Sequence, residues 1–115
     1  MKSIKRVRRI SAQDKELLAE LKRIVLGFVP DATVVIYGST ACGRRTAESD
    51  YDILVLLNAP MPPDEREDMR GTIYDLELAR GVVMTVFFLT TEEWHLPLNR
   101  VTPFHRNVER EGVVL

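Results

Sequence analysis

A chain of 115 residues, 45% hydrophobic and 29% charged, has the composition of a soluble globular protein and the length of one domain with its own core. Its only cysteine, Cys42, excludes an internal disulfide and a Cys-rich zinc site, and no apolar run approaches the roughly 20 residues of a membrane span, so the expected setting is cytoplasmic and reducing, with no membrane partner. Five of the 16 Lys and Arg residues (Lys2, Lys5, Arg6, Arg8, Arg9) crowd into the first nine positions, leaving 11 against 17 acidic residues beyond them. So acidic a body offers no broad basic footprint and argues against nucleic acid as a partner. The expected division is a basic, solvated N-terminal tail over 1–10 and a single domain over 11–115.

From Ser11 onward, Leu17, Leu18, Leu21, Ile24, Val25 and Phe28 recur at three- or four-residue spacing, and charged residues from Asp14 to Arg23 fill the other face. This predicts an amphipathic helix, capped by Ser11 with Asp14 and stopped by Pro30. Thr33 to Tyr37 is β-branched and apolar without alternation, the pattern of a central strand covered on both faces. Gly38 turns the backbone, Ser39 to Gly43 has room for one helical turn, and Arg44 to Ser49 reads as polar loop. Asp52 to Leu57 is a second continuous apolar strand, ended by Asn58 and the prolines Pro60, Pro62 and Pro63. Pro63 opens a helix with Asp64, Glu65 and Glu67 at the positive end of its dipole. Its core stripe is Met69, Ile73, Leu76 and Leu78 or Ala79, and Gly81 closes it. Val82 to Leu89 is a third strand, Thr90 with Glu93 forms a capping box around Trp94, and Thr102-Pro103 opens a last helix that runs to Gly112. The order predicts an α/β fold, a mixed sheet of three or four strands with helices packed on it.

The chemistry concentrates between Val34 and Leu57. A strand has a period of two, so Asp50 and Asp52 project to one face and Tyr51 to the other. Two adjacent carboxylates repel unless a cation lies between them, and hard oxygen donors select Mg²⁺ or Mn²⁺, ions that also bind substrate phosphates. Upstream, Gly38-Ser39 lets a ligand approach the backbone amides at the start of a helical turn, an anion site. Each feature alone is a common turn or a surface acid; strand, Gly-Ser, spacer, Ser-Asp-x-Asp and strand in that order point to a nucleoside triphosphate held by its phosphates and its metal.

The segment GSTACGRRTAESDYDILV, Gly38 to Val55, resembles the signature of the minimal nucleotidyltransferase domains of the polymerase-beta superfamily: Gly-Ser-x-Ala-Arg-Gly, a variable spacer, Ser-Asp-x-Asp and an apolar strand. The likeness extends more loosely to the Thr-Glu-Glu-Trp after the third strand and to Phe104 through Gly112. It implies transfer of a nucleotidyl group, usually AMP from ATP, to an acceptor hydroxyl. Gly38 and Ser39 then bind the triphosphate, and Asp50 and Asp52 are the catalytic, metal-holding carboxylates. Small members of this kind pair as antitoxins with helical HEPN-domain toxins. The alternative is a domain that keeps the fold, has weak or no catalysis, and neutralises its partner by contact.

Two departures stand out. Cys42 replaces the arginine of the pattern, leaving Arg44 or Arg45 as the substitute nucleotide contact, and Thr85 aligns with the third carboxylate of catalytic members. Asp75 or Glu77 could replace that carboxylate, against the plainer reading of exposed helix acids. His95 and His105 lack a ligand register and read as surface or interface residues; Trp94 and Phe104 read as small-core or interface anchors rather than a base-stacking platform. Ser39 has no histidine partner for hydrolysis. So short a chain leaves acceptor recognition to another chain or a homo-oligomeric mate.

Overall fold

The computed structural model describes residues 1–115. In chain order the elements are β1 (Lys2–Ser3), a 3-10 turn (Ile4–Arg6), α1 (Ala12–Phe28), β2 (Thr33–Tyr37), α2 (Gly38–Ala41), β3 (Tyr51–Leu57), α3 (Pro63–Arg80), β4 (Met84–Thr90), α4 (Thr91–Trp94), α5 (Pro97–Arg100), α6 (Pro103–Glu111) and β5 (Val113–Val114). The expected caps form: Ser11 accepts from the Asp14 amide, Thr90 and Glu93 make a reciprocal capping box, and Thr102 accepts from the His105 amide. Gly81 ends α3 at φ 65°, a left-handed conformation that glycine adopts without a steric penalty.

The sheet is mixed and has five strands in the order β1-β5-β2-β3-β4. The expected trio forms one side of it out to the edge, with β2 antiparallel to β3, and β3 parallel to β4 across the α3 crossover. The additional strands, β1 and β5, have two residues each, too short for periodicity to reveal; they pair in parallel with each other, and β5 pairs antiparallel with β2.

Strand alternation divides the core in two. Val34, Ile36, Tyr51, Ile53 and Val55 face α1 and α3, meeting Leu18, Leu21, Val25, Met69 and Ile73 in a cluster of 18 buried residues. Val35, Leu54 and Leu56 face the other way, against Trp94 and Val108, in a cluster of only five. The stripe expected on α3 is narrower than its sequence spacing implies. Met69 and Ile73 are buried and Leu76 is half-buried, whereas Ala79 and Leu78 are exposed; at about 3.6 residues per turn Leu78 lies about 140° around the helix from Ile73, off the buried face, although the end of α3 still reaches α1 through Arg80 and Glu20.

The first ten residues are not a solvated tail. Lys2 and Ser3 pair with Val113 and Val114, Val7 and Ile10 lie inside the larger core cluster, and Arg9 Nε donates to the carbonyl of Ala41. The segment docks because two apolar side chains set among the positive charges find space against the core, while the charged ends stay in water. Ile10→Ala should therefore cost about 2–4 kcal/mol of stability, measurable by urea unfolding; a solvated tail would show no change.

Candidate functional site

Register builds the site. Tyr37 of β2 pairs with Asp52 of β3, and Asp52 with Thr85 of β4, so the three side chains form one row across the sheet on the face of the smaller core cluster. β2 ends at this row, and α2 begins at once with Gly38. Gly38 has φ 73°, and a Cβ built on it would fall on Oδ2 of Asp52. The glycine is required twice, for the left-handed turn and for the carboxylate that leans against its backbone. Asp50 is exposed just before β3, and Ser39, half-buried, is in the first turn of α2, where backbone amides have no partner within the helix.

The charges interact. Burial, and then the neighbouring Asp50 charge, holds the Asp52 carboxyl above the usual aspartate range. Burial, and then Asp52, pushes the Tyr37 phenol up to about 12, so it stays neutral beside the carboxylate. No cluster of three or more His, Cys, Asp or Glu side chains is placed for a metal ion. The donor set is thus two neighbouring, mutually repelling carboxylates, which suits one hard cation that retains water and phosphate oxygens as its other ligands.

The other expected residues separate. Arg44 is exposed beside the turn, and its amide donates to the carbonyl of Ser39 at 2.9 Å. Arg45 turns to the opposite face: its guanidinium lies 4.0 Å over the Tyr51 ring and donates to the carbonyl of Ser49 at 3.3 Å. Tyr51 in turn donates to Asp14 Oδ1 at 2.6 Å, so Arg45 fastens the loop to α1. The Cys42 thiol is held above its usual range by burial and then by Glu111, which leaves it a poor nucleophile. Register seats Thr85 beside Asp52, and neither alternative acid replaces it: Asp75 is exposed, and Glu77 Oε2 accepts from the Met84 amide at 3.2 Å. His105 is buried, stacked on Trp94 with ring centroids 3.9 Å apart, instead of lying at the surface. Nothing in the sequence marks Tyr37 or Arg9 as part of a site. Tyr37 reads there as an ordinary strand end, and only the pairing with Asp52 shows its place; Arg9 supports α2 from a segment without any recognisable motif.

The model of the nucleotidyltransferase domain family matches residues 15–113, nearly the whole chain. The chain belongs to that family. Among solved structures, this nucleotidyltransferase domain is similar to the Cid1 poly(U) polymerase, described with MgGTP bound, at 26% identity and a TM-score of 0.42; the match covers 61% of this chain and 22% of the polymerase. No functionally curated protein matches. No helix is long and apolar enough to cross a membrane.

Two outcomes follow from this geometry. Gly38→Ala should lose about 1–2 kcal/mol of stability from its backbone angle alone, and more because Asp52 must move to admit the methyl group, a loss measurable by urea unfolding. Because Asp52 binds its proton more tightly when folded than unfolded, its contribution to stability is fully present below the usual aspartate range and is lost as pH rises through the folded value. Asp52→Asn should accordingly raise the melting temperature of the metal-free domain at neutral pH, and the gain should vanish below about pH 4.

Proposed function

We propose that this nucleotidyltransferase domain transfers a nucleotidyl group, AMP from ATP, to a hydroxyl of a protein or small molecule in a Mg²⁺- or Mn²⁺-dependent reaction. The observation that carries the reading is the contact of Asp52 with the Gly38 turn, with Asp50 close enough to raise its pKa. One face of one sheet end then offers carboxylates for a cation and backbone amides for the phosphates the cation neutralises. Asp50 and Asp52 hold the ion, which when bound supplies charge neutralisation for the attacking and leaving oxygens. Gly38 and Ser39 receive the triphosphate, and Arg44, whose amide donates to the Ser39 carbonyl, is the nucleotide-contacting arginine on that turn. The acceptor oxygen attacks the α-phosphorus as the bond to the β-phosphate breaks and pyrophosphate leaves, and positioning does most of the work. Likeness to the minimal nucleotidyltransferases supports a cytoplasmic antitoxin whose partner and acceptor is a HEPN-type toxin.

A second reading, a weak or inactive domain that neutralises its partner by contact, is favoured by Thr85. The β4 position in register with Asp52 carries a hydroxyl where a carboxylate could take the acceptor proton. Incubation with α-labelled ATP, Mg²⁺ and co-purifying proteins separates the two. Label should pass to a partner, and Asp50→Asn or Asp52→Asn should each reduce it by about 10²-fold or more; labelling that ignores both substitutions sinks the assigned site. Thr85→Asp should raise the rate, up to about 10²-fold if the new carboxylate acts as base. If calorimetry finds no binding of ATP with Mg²⁺ up to millimolar nucleotide, the second reading stands.

A further inference from the structure

β4 is the last strand of the sheet, and its outer edge lacks the usual defences against another strand. Met84 to Thr90 (MTVFFLT) holds no charge and no proline over seven residues, the devices by which edge strands commonly discourage pairing. The Tyr51 amide donates to the Val83 carbonyl, and with Tyr51 in register with Met84 this fixes the alternation. Thr85, Phe87 and Leu89 turn their main-chain groups toward β3; Met84, Val86, Phe88 and Thr90 turn theirs outward. The outward amides at the two ends are already satisfied by carboxylates, Met84 by Glu77 at 3.2 Å and Thr90 by Glu93 at 2.9 Å. Between them, the outward-turned groups of Val86 and Phe88 are placed symmetrically about Phe87.

We propose that this edge pairs antiparallel with the same strand of a second copy of the chain, about a twofold axis through Phe87, joining two five-stranded sheets into one. Val86 of each copy exchanges both main-chain hydrogen bonds with Phe88 of the other, and the ladder ends where Glu77 and Glu93 occupy the next amides. Phe87, 52% exposed in the single chain, meets its own mate in the non-hydrogen-bonded position, where facing side chains come closest.

Charge selects a second copy over an unrelated strand. Arg66 and Arg70 of α3 lie over the Phe88 ring, at 5.6 and 4.8 Å, while Glu77 stands at the Met84 end. Antiparallel pairing brings the arginine end of each copy beside the Glu77 end of the other, so the flank of α3 is complementary to itself, as an isologous interface requires. Because the axis runs perpendicular to the sheet, both Asp52 rows open to the same side of the assembly.

Sedimentation of the full chain should show a dimer, and Phe87→Lys, which sets two like charges face to face at an exposed position, should yield a monomer with an unchanged circular dichroism spectrum. In a Cys42→Ser background, Phe87→Cys should form a disulfide-linked dimer under mild oxidation, since the facing position suits disulfide geometry; Leu98→Cys, at an 83% exposed site off the strand, should not. The cross-link reads the same contact without relying on the lysine variant to fold. A wild-type chain that stays monomeric at every soluble concentration overturns the proposal and leaves the edge to a strand of another protein. A dimer that survives Phe87→Lys and cross-links no better through position 87 than through 98 overturns it equally.

Discussion

Asp52 leans on a backbone that has no side chain to resist it, and much of the site end of the sheet follows from that contact. A carboxylate partly withdrawn from water beside another carboxylate is unfavourable in the metal-free protein, and here burial and Asp50 both act in that direction. The fold tolerates the cost because Asp52 sits on β3, a strand paired on both sides, and Gly38 follows directly from β2, whose last residue is in register with it. The strain is confined to one end of the two most buried strands, where a cation and an anionic ligand would relieve it together.

Around that contact the chain spends side chains on position rather than on reactivity. Arg45 and Tyr51 tie the loop before β3 to Asp14 on α1, and Arg9 holds the end of α2 through the Ala41 carbonyl. Tyr37 remains a neutral phenol at the edge of the carboxylate row, packed edge-on against Phe104 with ring centroids 5.4 Å apart. None of these groups is itself equipped for nucleophilic chemistry, which accords with the proposed role of holding phosphates and metal in place.

The sequence was legible where local physics repeats. The apolar runs of β2 and β3, the caps at Ser11, Thr90 and Thr102, and the stop at Gly81 each have a period or a turn chemistry, and the structure has them within a residue or two. The row containing Thr85 was legible through its likeness to a known pattern, and strand register then placed it beside Asp52. What could not be read depends on contacts between distant segments. Two-residue strands have no period, so β1 and β5 stayed hidden, and the charges around Val7 and Ile10 masked two core residues as tail. The direction of Arg45 was open for the same reason: in sequence it is a neighbour of Arg44, and only the Tyr51 ring, reached through the turn of the loop, draws it to the opposite face. Leu78 errs the other way: it is apolar, but a five-residue step from Ile73 turns it about 140° around the helix, away from the core.

The unequal halves of the core bear on how the molecule breathes. The side carrying α1 and α3 rests on 18 buried residues; the side carrying the carboxylate row is roofed by α4 and α5, four residues each, and by α6 over a cluster of five. Cooperative opening begins where fewest apolar contacts must be given up. Amide protons of the roof will accordingly exchange with solvent well before those of β2 and β3, through excursions that leave the sheet intact. A ligand arriving at the carboxylates thus meets a rigid floor under a yielding cover, and the cover can take up a new arrangement without disturbing the register that positions Asp52.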